Sequence, residues 1–596
     1  MVLAGILIRK EFIMEEKLNL LSKDEKFVSK MNKAFVMTNS DTDISEFDKK
    51  SNTDDLSQLY VDINGHLESL VAKSSRSSGV VSGLRGTGKT HLMLLAREKV
   101  NNDNDSFCFY LNLKGIVFPE NSNQEITNKV FSIKMYEAIS NQLIDYFNKK
   151  EHKIWEILEK NKVKKKIIET VNFIGKCKFE ASIGNFTIND SEKISIEKEE
   201  TLEYINTSLS KLSSELGLEN GFIINLEQNE KEVSRNLDKV ITNGDLKKFL
   251  DISSFKNNMI RLMEILGKKT FTFYLDDWEK LKNKNIFLQE QLSRYIDTII
   301  GNPVYVWIGI VPGRGDLHGL THGSDLQHRI DLDSDLIFEK SKSEGTKCIK
   351  YFTELVNKRL HFLLENQSID ISTLLTSPNL LLLVHASMGN SRDFLNMLSN
   401  SWDSYISSNK ASKGRTFARI SKEMIIEAIE SIGAQKKENI VSKPEVMDVW
   451  NDIKEFCLEK EYSHFAIENT FENNQITRKE WFEELIYQRI IHFRKANISK
   501  KDTSASDLNI YAINYSMIYD RVSGRGKKLD FVVDSDTVHN KIRRYIYNPK
   551  LIFSKIETEQ GKIINCLKCD SIVSKERSEF MWNQKKCPNC GADLPI

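Results

Sequence analysis

The order of apolar and polar positions predicts strands and helices in turn through the first half of the chain. Short apolar runs have the length of buried strands: Gly79–Ser82, Phe107–Leu113, Phe271–Leu275, Val304–Val311 and Ile330–Ile337. Segments with apolar residues at helical spacing flank them: Leu59–Leu70, His91–Arg97, Ile126–Tyr146 and Ile286–Ile300. This order predicts an α/β fold, in which helices cover both faces of a parallel sheet.

Other parts of the chain follow different patterns and predict further domains. The start of the chain is polar and is interpreted as a loosely packed arm, and about residues 150–250 as an insertion with a hairpin near Phe179–Ile196. From Cys348 to about Ile432 the pattern is wholly helical and predicts a lid. The predicted domains are an arm at 1–58, an α/β core with the insertion at 59–345, a lid at 346–440, a domain of helices and paired strands at 441–550 and a small cysteine-rich domain at 555–596.

The segment after the first predicted strand has the spacing of a phosphate-binding loop. It reads Gly83-Leu84-Arg85-Gly86-Thr87-Gly88-Lys89-Thr90 and leads directly into a predicted helix. Glycines let successive backbone N–H groups turn inward around phosphates, and the helix presents its positive end to the same anion. In this pattern Lys89 reaches the β- and γ-phosphates, and the Thr90 hydroxyl binds Mg²⁺. The predicted ATP contacts are Gly83, Arg85, Gly86, Thr87, Gly88, Lys89 and Thr90.

A second group of candidate residues follows the strand Phe271–Leu275, in the run Asp276-Asp277-Trp278-Glu279. The carboxyl ends of parallel strands meet at one edge of a sheet, so these carboxylates are expected beside the phosphate loop. Asp276 or Asp277 is predicted to hold Mg²⁺, and Glu279 or Asp277 to orient the attacking water. A surface acidic turn after a core strand is the alternative.

The order of these motifs resembles that of AAA+ and STAND ATPases, in particular the branch related to origin-recognition initiators. The resemblance covers Leu59–Ile432 without the insertion, and includes the helical segment Gly389-Asn390-Ser391-Arg392-Asp393-Phe394-Leu395. It implies ATP hydrolysis, with Arg392 reaching the γ-phosphate from the lid as a sensor arginine. A helix-surface arginine is the alternative interpretation of Arg392.

Two further positions bear on hydrolysis by the same resemblance. The strand Val304–Val311 corresponds to the family's sensor 1 strand, whose tip offers Asn, Ser or Thr, whereas this chain has Pro312-Gly313-Arg314. The departure implies that Arg314 substitutes or that turnover is slow. Arg329 precedes the last predicted strand, where such families place an arginine finger that acts on a neighbouring subunit. A salt-bridged arginine is the alternative.

The end of the chain carries a four-cysteine pattern. Cys566 and Cys569 form one C-x-x-C pair, Cys587 and Cys590 another, and 17 residues separate the two pairs. This spacing predicts a closed tetrahedral zinc site, which is structural because four thiolates leave no open position. The segment resembles a zinc ribbon, a module that binds nucleic acid or protein.

The region before these cysteines resembles a winged-helix domain. Helices are predicted at Val449–Cys457 and Lys479–Phe493, and strands at Ile490–Ile498 and Asn509–Tyr515 are predicted to pair. Between Arg489 and Lys550 there are 13 Lys/Arg and 6 Asp/Glu. The basic groups are Arg494-Lys495, Lys500-Lys501, Arg525 with Lys527-Lys528, and Lys541 with Arg543-Arg544. They predict DNA binding through phosphates; a solvated face on a protein-docking domain is the alternative.

Composition limits the classes of protein that fit. The chain has 596 residues and a net charge of +1, so any basic binding surface is local. The apolar start Met1–Ile8 is much shorter than the roughly 20 residues that a membrane-spanning helix needs. A cytoplasmic protein without a membrane partner is therefore expected.

These features together predict an ATP-hydrolysing AAA+/STAND-type switch that couples nucleotide state to DNA or to a protein complex. The resemblance implies a role in bacterial defence or in DNA replication and mobility, and an oligomer if Arg329 acts on a neighbour. A scaffold that holds nucleotide without hydrolysing it is the alternative, which the atypical sensor 1 tip favours.

Overall fold

The computed structural model describes most of the chain. The described residues are 18, 21–36, 57–103, 105–151, 160–183, 186, 190–215, 226–242, 252–364, 369–411, 417–499, 507–518, 544–575 and 577–595. The chain divides into two units. The sheet unit comprises Ile44–Gly83 and Gly88–Leu332, and the helical unit comprises Met1–Asp43, Leu84–Thr87 and Asp333–Ile596. None of the described helices is both long enough and apolar enough to cross a lipid bilayer.

The strands of the described residues fall into one large and two small sheets. They are β1 (Gly79–Ser82), β2 (Ser106–Asn112), β3 (Thr270–Asp276), β4 (Val304–Ile310), β5 (His328–Asp331), β6 (His464–Glu468), β7 (Ile491–Ile498), β8 (Leu508–Ile513), β9 (Ile563–Asn565) and β10 (Ile572–Ser574).

Helices make up most of the remaining described structure. Up to the last strand of the large sheet they are α1 (Glu25–Val36), α2 (His66–Ser74), α3 (Lys89–Asn101), α4 (Gln124–Glu151), α5 (Lys160–Ile183), α6 (Ser191–Glu215), α7 (Leu226–Thr242), α8 (Ile252–Leu266), α9 (Glu279–Lys284) and α10 (Leu288–Ile299). After it they are α11 (Lys342–Leu364), α12 (Ile371–Leu374), α13 (Ser377–Ser387), α14 (Ser391–Ala411), α15 (Lys422–Val441), α16 (Pro444–Lys460), α17 (Phe471–Thr477), α18 (Glu480–Tyr487), α19 (Tyr515–Ile518), α20 (Lys550–Glu559) and α21 (Glu579–Asn583).

The sheet unit is built on five parallel strands in the order β2–β3–β4–β1–β5. The prediction of a parallel α/β sheet is confirmed. The fifth strand lies at His328–Asp331, earlier than the predicted Ile330–Ile337, because it pairs with β1, whose four residues end at Ser82. The first predicted helix also begins later, since Asp62 accepts hydrogen bonds from the N–H groups of His66 and Leu67 and so starts α2 there.

The predicted hairpin near Phe179–Ile196 is wrong. Phe179 lies in the last turns of α5, and Ile196 lies in α6. The two helices approach closely at Gly175, where a Cβ would lie 2.4 Å from Ile205 Cδ1. Both helices contribute buried side chains to the same hydrophobic cluster as the sheet, so the residues predicted as an insertion share the core of this unit.

The described N-terminal helix corrects the expectation of a loosely packed arm. In the helical unit, α1 packs against α11 and α14, and Met31 and Phe35 are fully buried. The rings of Phe27 and Phe35 lie 6.3 and 6.2 Å from that of Trp402, whose indole N–H donates to Asn32. Each such buried aromatic side chain contributes about 1.5–3 kcal/mol, which outweighs the polar composition around the helix.

The predicted helical lid corresponds to the described helices α11–α15. Beyond it lies a three-stranded antiparallel sheet in the order β6–β8–β7. Helix α16 precedes β6, and α17 and α18 lie between β6 and β7 in the chain, an arrangement that fits a winged-helix domain. The predicted strand pairing is confirmed by β7 and β8. The predicted helix Lys479–Phe493 ends at Tyr487 instead, because Arg489 has a left-handed backbone with φ of 58° and Ile491 begins β7. We refer to residues 444–559 as the C-terminal domain.

Candidate nucleotide site, metal centre and basic surface

The phosphate loop links β1 to α3, as its sequence predicts. Gly86 and Gly88 have φ of 90° and 96°, values that only glycine adopts without strain. Helix α3 begins at Lys89, so its first N–H groups and its positive dipole end face the loop. A loop of this shape followed by a helix N-terminus can hold an anion.

Lys89 is buried within the sheet unit. Its Nζ donates a hydrogen bond of 2.6 Å to the carbonyl oxygen of Gly83, the first residue of the loop. The ammonium group is therefore folded back across the mouth of the loop. A phosphate oxygen placed there would form a stronger hydrogen bond with it than this carbonyl does, because the acceptor would then carry a charge opposite to that of the ammonium group.

Asp276 ends β3 and is fully buried beside the start of α3. Its Oδ2 accepts a hydrogen bond of 2.5 Å from the Thr90 hydroxyl and one of 2.9 Å from the Tyr110 hydroxyl. Strand β4 separates β3 from β1. The side chain of Asp276 reaches past it because residue 309 is glycine, whose Cβ would lie only 2.6 Å from Asp276 Oδ1. Asp276 and Thr90 thus meet as the sequence predicts.

Tyr110 and Gly309 are parts of this site that the sequence reading missed. Burial, with Asp276 beside it, raises the pKa of Tyr110 well above its ordinary value, so the phenol stays protonated and donates. The available signal was weak. A tyrosine in the strand Phe107–Leu113 looks like any other core residue, and only the register that sets β2 beside β3 brings it to the carboxylate.

Asp277 and Glu279 follow on the same edge of the sheet. Asp277 has a left-handed backbone with φ of 60°, and its N–H donates to Asp276 Oδ1. Glu279 begins α9 and is buried, and its Oε2 accepts no hydrogen bond in the described structure. Burial raises the pKa of Glu279, the nearby Lys89 charge opposes that rise, and Asp276 adds to it. A carboxylate in these surroundings can accept a proton from water.

The donor set at this edge fits Mg²⁺. The Thr90 hydroxyl and the Asp276 carboxylate are hard oxygen ligands that already lie within hydrogen-bonding distance of each other. These two groups would hold the ion, and a bound Mg²⁺ would supply positive charge to neutralise the negative charge of a polyphosphate.

The predicted sensor 1 tip lies close to α9. Arg314 is buried, and its guanidinium lies 3.5 Å from the side chain of Asn283, one turn after Glu279. Its carbonyl oxygen accepts a hydrogen bond from Gln289. Arg314 is thus packed against the helix that carries Glu279.

Arg329 lies on β5, beside the residue that precedes the phosphate loop. Its Nη2 donates a hydrogen bond of 2.9 Å to Ser82 Oγ and lies 3.8 Å from Asp331. Nearly half of its side chain is exposed. The finger role of Arg329 stays a prediction.

Arg392 lies at the start of α14, beside phosphate-loop residues that belong to the same helical unit. A Cβ on Gly86 would lie 2.4 Å from Arg392 Cβ and 2.8 Å from Asn390 Oδ1. The Asn390 side chain donates a hydrogen bond of 2.8 Å to the Arg85 carbonyl oxygen. The predicted sensor segment and the loop residues Arg85–Thr87 are therefore brought together.

Two arginines at the start of the predicted basic surface are internal. Arg489 forms hydrogen bonds with Asp393, and Arg494 lies 2.7 Å from Glu339 with only 7% of its side chain exposed. Because these carboxylates occupy both guanidinium groups, neither arginine is placed to make the predicted contacts with DNA phosphates. Lys495 and Arg544 are exposed. The other basic residues of the prediction lie outside the described residues: Lys500, Lys501, Arg525, Lys527, Lys528, Lys541 and Arg543.

The four cysteines near the end of the chain converge. Their sulfur atoms all lie within 4.8 Å of one another, with Cys566 and Cys590 3.6 Å apart and Cys569 and Cys587 3.7 Å apart. Disulfide sulfurs lie about 2.05 Å apart, so these thiols are not bonded to each other. A zinc tetrahedron with Zn–S bonds of about 2.3 Å has edges of about 3.8 Å. The donor set therefore fits zinc.

No protein-family model matches the chain, and no curated protein sequence matches it. Several solved structures are similar to it at low identity, among them the following three. The Orc1 protein of Aeropyrum pernix in complex with DNA is 12% identical, with a TM-score of 0.30, and the match covers 82% of this chain and 97% of that one. A Walker-type ATPase of Pyrococcus abyssi is 10% identical, with a TM-score of 0.35 and coverage of 77% and 94%. Cdc6p of Pyrobaculum aerophilum is 10% identical, with a TM-score of 0.27 and coverage of 85% and 99%. At these values, function has to be inferred from the geometry of the site.

Proposed function

We propose that the protein binds ATP with Mg²⁺ and hydrolyses it, as a P-loop switch of the AAA+/STAND type. The observation that carries this proposal is the arrangement at one sheet edge. Lys89 is folded over the phosphate loop, Thr90 is bonded to the buried Asp276, and Glu279 is buried beside them with a carboxylate oxygen that has no partner. Groups that can bind a polyphosphate, a divalent cation and a water molecule therefore lie together at this edge.

Each residue has a definite part in this proposal. Backbone N–H groups of the loop and Lys89 bind the phosphates, while Thr90 and Asp276 hold Mg²⁺. Glu279 takes a proton from water as the water oxygen attacks the γ-phosphorus, and ADP leaves as the bond to its β-phosphate oxygen breaks. Asp277 orients the same water. The raised pKa of Glu279 makes it a stronger base than an exposed glutamate.

Two arginines complete the proposed machinery. Arg392 acts on the nucleotide bound to the loop, a role supported by its closeness to Gly86. Arg329 acts on the nucleotide of a neighbouring copy, which requires self-association. The partly exposed guanidinium of Arg329 supports that second role, although its hydrogen bond to Ser82 would have to be exchanged.

Calorimetry and a phosphate-release assay test this proposal together. Wild-type protein should bind Mg²⁺–ATP, Lys89→Ala should lose that binding, and Glu279→Gln should keep binding but lose turnover by about 100-fold or more. Glu290→Gln removes a carboxylate from an exposed ion pair with Arg294 and serves as the matched control, with unchanged turnover. Heat of binding that is absent in the wild type, or unchanged in Lys89→Ala, would refute ATP binding.

A nucleotide-holding scaffold is the second candidate function. The Pro312-Gly313-Arg314 tip favours it, because Pro312 supplies no side-chain hydrogen bond and Arg314 is packed against α9. Tight ATP binding with equal, negligible turnover in wild type and Glu279→Gln would support the scaffold and refute the hydrolytic switch.

The proposed switch engages DNA through its C-terminal domain, where Lys495 and Arg544 are the exposed residues among the predicted basic groups that the structure describes. If it does, neutralising both residues should reduce the salt dependence of binding to duplex DNA by about two counterions in an anisotropy titration. An unchanged slope, or no binding at any salt, would favour a protein partner. Bacterial defence and DNA replication or mobility both stay predictions for the process that the switch serves.

The cysteine cluster is proposed to hold one structural zinc ion, which supplies folding free energy to a segment too small for a sizeable core. Metal analysis should find about one zinc per chain in the wild type and none in a Cys569→Ser, Cys590→Ser double variant. Cys177→Ala, which removes a buried cysteine of the sheet unit, should keep the zinc. Metal-free wild-type protein would contradict the assignment.

A further inference from the structure

Two arginines of the C-terminal domain contact the two ends of residues 388–393, a stretch that includes Asn390 and Arg392 of the predicted sensor segment. Asp393 accepts hydrogen bonds of 3.2 Å from Arg489 Nε to each carboxylate oxygen and one of 3.0 Å from Nη2. At the other end of the segment, the Arg494 guanidinium lies 3.4–3.5 Å from the Met388 carbonyl oxygen. Residues 388–393 are thus bracketed from β7 and from the turn that precedes it.

The same short segment contacts the phosphate loop. Asn390 Oδ1 accepts the N–H of Asp393 at 3.1 Å, while its amide nitrogen donates to the Arg85 carbonyl oxygen. Asn390 therefore joins the residue that Arg489 holds to the loop itself. Arg392 lies between Asn390 and Asp393 in the chain, so its backbone position is set by the same hydrogen bonds.

A second contact runs directly from the C-terminal domain to the loop. The Arg85 guanidinium lies over the ring of Tyr487, 5.7 Å from its centre, and Tyr487 ends α18 two residues before Arg489. Arg85 thus contacts Tyr487 of α18 through its side chain and Asn390 through its carbonyl oxygen. Arg489 is close to both contacts, because it follows α18 in the chain and bonds Asp393.

The ion pair between Asp393 and Arg489 is supported by a second buried cation. Asp393 is buried and also accepts a hydrogen bond of 2.7 Å from the buried Lys436 of α15. Lys436 supplies a single point charge, whereas the Arg489 guanidinium approaches both oxygens and so also fixes the orientation of the carboxylate. Replacing Arg489 should therefore leave Asp393 paired but free to turn.

We propose that Arg489 is a positioning residue for nucleotide recognition: by orienting Asp393 it fixes the turn that carries Asn390 and Arg392 against the loop. The C-terminal domain then sets how strongly the protein prefers ATP to ADP. Conversely, the nucleotide biases the C-terminal domain, since coupling between two binding events is reciprocal. This inference rests on the proposed function, with Arg392 acting on the γ-phosphate.

The test compares ATP and ADP affinities by calorimetry on the full chain. Arg489→Gln should weaken ATP binding by about tenfold, the scale of one charged hydrogen bond, and should change ADP binding by less than about threefold. A general loss of structure would weaken both nucleotides alike, so the ratio of the affinities is decisive. Arg478→Gln is the matched control, because Arg478 is an exposed arginine of the same domain, and it should change neither affinity.

Arg489→Lys keeps the buried charge and so protects the fold if the glutamine variant is unstable. Its ATP preference should lie between those of the wild type and Arg489→Gln, since a lysine cannot bond both oxygens in one plane. Equal losses for ATP and ADP, or an unchanged ratio in both variants, would overturn the inference. Failure of the proposed function differs from this result, because the wild type itself would then not bind ATP, or Lys89→Ala would bind it normally.

Discussion

Two buried carboxylates, Glu279 of the sheet unit and Asp393 of the helical unit, have opposite electrostatic surroundings. Their exposed fractions are 2% and 1%, so both lose nearly all contact with water. Burial raises the pKa of Glu279, and the charge of Lys89 only partly offsets it. Burial acts on Asp393 in the same direction, but Arg489 and Lys436 outweigh it and hold the pKa of Asp393 well below its ordinary range.

The difference arises from hydrogen bonds more than from burial. Asp393 receives N–H groups from two cations, whereas Glu279 Oε2 receives none, and Lys89 donates to a backbone carbonyl instead. A carboxylate that is fully paired stabilises the fold and is chemically inert. One that is buried with an oxygen that accepts no hydrogen bond costs stability and is available to accept a proton. The comparison therefore separates a structural acid, Asp393, from an acid that is proposed to be catalytic, Glu279.

Removing the Asp393 carboxylate should have the largest effect on stability. Asp393→Ala leaves Lys436 and Arg489 buried without their partner, so the free energy of unfolding should fall by about 3–5 kcal/mol. Urea unfolding followed by circular dichroism measures it. Adding Lys436→Met to the variant should recover part of the loss, because it removes one of the unpaired charges. A loss below about 1 kcal/mol would place Asp393 in the same class as Glu279 and break the comparison.

Acid should weaken the fold through a second paired carboxylate, Glu339. Burial opposes its ionisation, but Arg494 and His464 lower the pKa of Glu339 from 4.5 to about 2. A depressed folded-state pKa means that the stabilisation is complete above pH 4.5 and is lost as the pH falls toward 2. By linkage the shift corresponds to about 3 kcal/mol.

Urea midpoints across this pH range, in wild type and Glu339→Gln, test the assignment. The variant should be less stable than the wild type at neutral pH and should converge with it near pH 2. Curves that stay parallel down to that pH would show that Glu339 is not the titrating group. Asp393 titrates in the same acidic direction, so the variant should retain part of the pH dependence.

The sequence predicted the candidate nucleotide site at the edge of the large sheet much better than it predicted the paired carboxylates Asp393 and Glu339. The phosphate loop, Asp276 and the cysteines belong to local motifs whose chemistry fixes their spacing, and the structure brings these predicted partners together. The partners of Asp393 lie 43 and 96 residues away in the chain. No local pattern distinguishes Arg489 from a surface arginine, and so the basic residues of this region were all assigned to phosphate contacts.

The missed helix α1 had a signal that composition obscured. Phe27, Met31 and Phe35 recur at a spacing of four residues, which is the pattern of one helix face. The surrounding polar residues outweighed it in the sequence interpretation. At Phe179–Ile196 the opposite error occurred, because a hairpin was predicted where the described residues on either side belong to the helices α5 and α6. The packing that decides both cases involves residues far away in the chain, including Trp402 for α1.

The smallest expected stability effect belongs to Glu279 and has the opposite sign from that of Asp393. Glu279→Gln keeps the shape of the side chain and removes a charge that burial disfavours, so the free energy of unfolding should stay equal or rise by about 1 kcal/mol. The urea midpoint measures this change, and the phosphate-release rate should fall in the same variant. A stable but inactive protein is the expected outcome for a catalytic carboxylate. If the variant instead loses 3 kcal/mol or more, Glu279 is a paired structural acid, and the proton acceptor must be sought at Asp277.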